Sequence, residues 1–158
     1  MKKILRFLPL LLSLLAACTL AACDALTGKE VARMPINALS DIDKVVMQEA
    51  HLDLQAGEEI TFWAAMDMVY DTQPELLFRV EIQQEGIPTG ILQMDPLAVH
   101  VTLREVRTSF GGEVKWRYEG KMESMKAEVS GAYTFRAMLI GNVSPAFVLN
   151  KAELVIRK

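Results

Sequence analysis

The chain has 158 residues, 51% of them hydrophobic, with 17 basic and 20 acidic side chains and a net charge of −3. That length suits one domain with a core that needs no staples. No Lys/Arg block is present, and every acidic residue lies at Asp24 or later. This excludes nucleic-acid binding by phosphate neutralisation and gives no attraction to an anionic lipid surface.

The first 23 residues are the most informative. Lys2, Lys3 and Arg6 form a basic start, Phe7 to Ala17 an apolar run, and then come Leu15-Ala16-Ala17-Cys18 and Leu20-Ala21-Ala22-Cys23. A membrane-spanning helix needs about 20 apolar residues. Here the run to Ala22 is 16 residues and is interrupted by Pro9, Ser13 and Thr19. The arrangement resembles a bacterial lipoprotein signal peptide. The resemblance implies cleavage of residues 1–22 before a lipid-bearing Cys23, with Cys18 as the alternative site. Composition turns polar immediately after Cys23, which favours it. The resemblance also implies export to the cell envelope or periplasm and attachment of the chain to a membrane through its lipid. Asp24 after Cys23 resembles an inner-membrane retention signal, whereas Thr19 after Cys18 permits sorting to the outer membrane. Once the three basic residues of the signal are removed, the charge becomes −6. Residues 24–158 contain no cysteine, so packing alone must hold the domain.

Residues 23–43 read as the lipidated N-terminus and a flexible tether. Asp24, Gly28, Pro35 and Ser40 break any sustained periodicity, although Ser40-Asp41 could cap a short helix. From residue 44 to 158 the period is mostly two. A strand is expected around Val45–Leu54. The next spans Glu59–Tyr70, with Ile60, Phe62, Ala64, Met66 and Met68 inward. Leu76, Phe78, Val80 and Ile82 mark another. The turn-rich stretch 85–90 precedes a short strand at Ile91–Met94. Further alternations run through Val99–Leu103, Val114–Tyr118, Tyr133–Leu139 and Ala152–Ile156. At Gly111-Gly112 a two-residue hairpin would set Arg107 opposite Trp116. A three-residue loop would instead pair Phe110 with Val114 and Thr108 with Trp116. The three-residue loop is expected, because it keeps apolar residues on one face.

Seven or eight strands with turns between them predict an all-β domain, an immunoglobulin-like β-sandwich with a jelly-roll sandwich as the alternative. Ser130-Gly131-Ala132-Tyr133-Thr134-Phe135 resembles the tyrosine corner of immunoglobulin-like folds.

The carriers of common chemistry are sparse. His51 and His100 fall on separate strands, which argues against a shared zinc site. Asp67, Asp71, Glu75 and Asp95 flank turns and read as turn formers rather than calcium ligands. Met66-x-Met68 and Met122-x-x-Met125 have thioether spacing, but Met66 and Met68 share the inward face with Phe62 and read as core. No metal, cofactor or catalytic residue is expected. The departure from polar-out patterning is Trp63, Val69 and Leu77. Were the strands at 59–70 and 75–83 to pair as a hairpin, these three would form an apolar patch suited to binding, unless the tether or the 141–149 loop covers them. The reading that follows is a lipid-anchored, non-catalytic binding or scaffolding module directed toward an envelope protein partner. One alternative is a carbohydrate or cell-wall module using Trp63 or Trp116. Another is an envelope enzyme using surface carboxylates.

Overall fold

A computed structural model describes residues 27–158. The lipid-attachment expectation at Cys23 or Cys18 lies outside the described residues. Nine strands follow one another: β1 (Glu30–Pro35), β2 (Met47–Leu54), β3 (Glu59–Tyr70), β4 (Glu75–Gln84), β5 (Ile87–Met94), β6 (Val101–Phe110), β7 (Glu113–Lys126), β8 (Gly131–Asn142) and β9 (Val148–Arg157). They form two antiparallel sheets. One runs β1-β9-β3-β7-β6 and the other β2-β8-β4-β5. The domain is therefore the expected all-β sandwich.

The inward residues of β3 and β4 meet across the sandwich. Ile60, Phe62, Ala64, Met66 and Met68 are buried, as are Leu76, Phe78, Val80 and Ile82. Phe62 of one sheet packs edge-on against Phe135 of the other, with ring centroids 5.8 Å apart. Tyr133 sits at the start of β8, and its hydroxyl donates to the Val129 carbonyl at 2.8 Å. This is the backward bond expected of a tyrosine corner. Met122 is buried too. It continues the inward alternation of Trp116, Tyr118 and Gly120, and the register shift between β3 and β7 at Phe62/Trp63 breaks that alternation only beyond it.

Three expectations are corrected. First, the stretch read as tether is largely built into the sandwich. β1 pairs with β9, Met34 and Ile36 are buried, and Ser40 exchanges hydrogen bonds with the Val46 backbone. A bulge between Glu30 and Ala32 masks the alternation of β1 in the sequence. No helix starts at Ser40. Asp41 instead accepts the backbone N–H groups of Asp43 and Lys44.

Second, β3 and β4 do not form a hairpin. β3 lies between β7 and β9, and β4 between β5 and β8. The short link at 71–74 carries the chain from one sheet to the other.

Third, the β6–β7 hairpin has the two-residue loop. Phe110 pairs with Glu113, Ser109 with Val114 and Arg107 with Trp116. Gly111 and Gly112 take φ of 60° and 86°, which suits a tight hairpin turn. Polar-against-apolar pairing is tolerated because β6 is exposed along its whole length. Arg107 also lies 4.7 Å over the Trp116 ring, a favourable cation–π placement.

Candidate functional site

The three residues expected to form an apolar patch are not brought together. Trp63 and Val69 lie on the outer face of the five-stranded sheet, and Leu77 on the other sheet. Val69 is half-buried beside Val148, and Leu77 beside Ile140. Trp63 is only 3% exposed and packs with Ala65 and Val155 in a small outer cluster. Its cover comes from the arm that precedes β1 and from the end of β9. Arg157 spreads its guanidinium 5.1 Å over the indole, and donates to Thr27 Oγ1 at 3.1 Å and to the Gly28 carbonyl. The indole Nε1 donates to Thr61 Oγ1 at 2.9 Å.

Around this cluster lies a cavity of about 1050 Å³ on the outer face. Trp63, Val101 and Leu103 give it apolar surface, while Arg104, Lys121 and Arg157 bring positive charge. Much of that charge is already compensated. Arg157 forms a close pair with Glu119, and both side chains are largely buried. Arg33 bonds Glu30 at 2.6 Å and closely pairs Glu153. The hydrogen bond from Arg33, outweighing burial, holds the Glu30 carboxyl below its ordinary range. At Glu153 burial pushes the carboxyl up, but bonds from Lys151 and Arg33 outweigh it and keep it low. Asp67 behaves alike, with Asn150 and Arg117 as the donors. The outer face is thus a lattice of ion pairs knitting β1, β9, β3 and β7.

Arg157 should be structural as well as superficial. Arg157→Met keeps the apolar stem over Trp63 but strands the Glu119 carboxylate. The expected loss is about 2–3 kcal/mol. Arg157→Met combined with Glu119→Leu should recover most of it. Urea titrations of both variants check this, and a neutral single substitution would contradict it.

The other tryptophan is no platform either. Trp116 is 8% exposed. Its Nε1 donates to Glu105 at 2.9 Å and its ring lies 4.4 Å from that of Tyr118. Burial, with Asp95 nearby, pushes the Tyr118 hydroxyl well up, so it stays a donor, at 2.5 Å from the Pro96 carbonyl.

His51 bonds Thr134 and pairs with Glu49 on β2 and β8, while His100 precedes β6. Among the described residues no group of three or more His, Cys, Asp or Glu is placed to hold a metal.

A different surface stands out. β1 lies against β2 and closes one side of the sandwich, whereas β5 and β6 make no comparable contact on the other. The edge strands β5 and β6 carry Ile87, Ile91, Val101, Leu103, Val106 and Phe110, six of the ten exposed large hydrophobics among the described residues; Val106 and Phe110 share the outer face of their sheet with Arg117 and Glu113, whereas Ile91 lies beside Glu81 on the outer face of the other sheet. Phe110 is 91% exposed. The run of β-branched and apolar residues in β6 was visible in the sequence. None of the protein-family models matches this chain, and no curated protein matches it.

Proposed function

We propose that this chain is a lipid-anchored protein of the bacterial envelope whose sandwich is a non-catalytic binding or scaffolding module for a protein partner. The observation that carries this reading is the open β5/β6 side, where apolar side chains and a free strand edge coincide. Exposed apolar side chains such as Val106 and Phe110 on an edge strand favour an interaction site, and a free strand edge offers unpaired backbone N–H and C=O groups to another chain. Burial of both indoles weighs against the sugar reading that rests on Trp63 or Trp116.

The membrane part of the proposal rests on the paired Leu-Ala-Ala-Cys motifs. The position of the arm adds a consequence. From Cys23 to Gly28 is five residues, a reach of about 17 Å at most. The domain would therefore sit close to the headgroups, not on a long leash. From Cys18 the reach would be about 35 Å.

Photo-cross-linking in the native envelope tests the reading. A benzophenone side chain placed at Ile91 or Phe110 should give a discrete adduct. The same group at Glu49, on the closed side, should not. Absence of any adduct from the open side would overturn the proposal.

A further inference from the structure

The partner of the open side can be narrowed, and this step rests on the binding-module reading above. Of the four sheet edges, β1 and β5 carry the devices that blunt edge pairing. Each contains a proline, Pro35 or Pro88, and each has a register shift in its ladder. β2 is flanked by β1. β6 differs. From Arg104 to Phe110 its ladder to β7 is regular, with no proline and no lysine, and both of its faces are exposed. Among the described residues its other edge has no neighbour in the sheet.

We infer that β6 pairs antiparallel with β6 of a second copy of this chain, centred on Val106, so that two five-stranded sheets join into one of ten strands. The charge pattern selects this register. Antiparallel pairing about a twofold axis perpendicular to the sheet sets residues of the same face opposite each other, so only shifts in steps of two are allowed. With Val106 on Val106 of the second copy, each Glu105 faces the other copy's Arg107, and each Arg104 faces a Thr108. Moving the centre to residue 105 sets Glu105 against Glu105. Centres at residue 104 or 107 set arginine against arginine. Like charges directly opposite are destabilising, and opposite charges contribute favourably. The Val106-centred register sets no like charges opposite each other, and it is the one register that forms Glu–Arg pairs, two of them. Val106 is 63% exposed in the single chain and gains an apolar partner. The bulge at Leu103 falls at the periphery of the pairing.

The geometry is compatible with anchoring in one bilayer. Thr27 and Gly28 lie on the outer face of the sheet, against Arg157. A twofold axis perpendicular to the sheet keeps both arms on that same outer face.

Disulfide trapping in the full-length acylated protein, in its membrane, tests the inference, with the wild-type chain setting the background. Val106→Cys should cross-link to a species of twice the chain mass on mild oxidation, because directly opposed Cβ atoms lie within about 5.5 Å. Thr108→Cys, on the same face but displaced by four residues from its counterpart, should cross-link at least about tenfold more slowly. Adding Glu105→Arg to Val106→Cys, or adding Arg107→Glu, should each lower the yield about tenfold by creating like-charge pairs. Mixing these two double variants should restore the cross-link as a heterodimer. Restoration shows that both are folded, which matters because both side chains also touch Trp116. Equal trapping at 106 and 108, or yields indifferent to charge reversal, would overturn self-pairing. An adduct from Phe110 to a protein of another mass, with no trapping at 106, would overturn self-pairing while leaving the binding module standing. No adduct and no trapping would remove both.

Discussion

Phe135→Ala should lower the unfolding free energy by about 3–5 kcal/mol. Phe135 is fully buried in β8, edge-on to Phe62 and 6.3 Å from the Tyr133 ring. It is one of the side chains on which the two sheets rest. Truncation forfeits the transfer free energy of the ring and leaves a cavity that stiff strands on both sides cannot close. A domain of this size has about 5–15 kcal/mol in total, and no disulfide is available to make up the loss. Most of the stability would go. Phe110→Ala supplies the contrast. The same chemical deletion at a side chain that is 91% exposed should shift stability by no more than about 0.5 kcal/mol. Urea denaturation followed by circular dichroism measures both. A Phe135→Ala shift below about 1 kcal/mol would mean that the ring does not sit between two packed sheets.

The second large effect concerns location. Replacing both Cys18 and Cys23 with alanine should move the chain from the detergent phase to the aqueous phase and abolish incorporation of labelled fatty acid. One acyl chain holds a protein weakly, whereas two or more hold it firmly, so the change should be close to complete. The single substitutions assign the site. Cys23→Ala should act like the double variant if Cys23 bears the lipid, and Cys18→Ala should be silent. Membrane association of the double variant without an uncleaved signal would show that lipid is not the anchor.

What the sequence made legible, and what it hid, follows from how each strand is used. The inward faces of β3, β4, β8 and β9 could be read from period two because each has one dry side. The β6 register could not, because β6 has no buried side to constrain it. The polar-against-apolar pairing of Arg107 with Trp116 becomes a favourable cation–π contact once the arginine lies over the ring. β1 escaped because its bulge and Pro35 disrupt the alternation in a six-residue strand. The grouping of Trp63, Val69 and Leu77 failed for a different reason. A four-residue link between strands serves a hairpin or a crossing between sheets equally well, and nothing local distinguishes the two. Trp63 looked exposed because its cover, Arg157, lies 94 positions away along the chain. The open β5/β6 side was legible only as an excess of apolar residues, and needed the sheet order to become a surface.

The clasp between the amino-terminal arm and β9 decides what happens when such a domain is shed. Lys29 and Lys158 exchange two backbone hydrogen bonds at 2.7 and 2.9 Å. Gly28 approaches so closely that a methyl group in its place would meet the Lys158 carbonyl oxygen at 2.5 Å. If Cys23 bears the lipid, a protease cutting between it and Gly28 releases an intact, soluble sandwich. A cut a dozen residues later leaves β1 behind with the lipid, and the liberated fragment has a raw β9 edge and the empty berths of Met34 and Ile36. The first product would circulate as a folded domain. The second would aggregate, so the few residues beside the anchor separate harmless release from destruction.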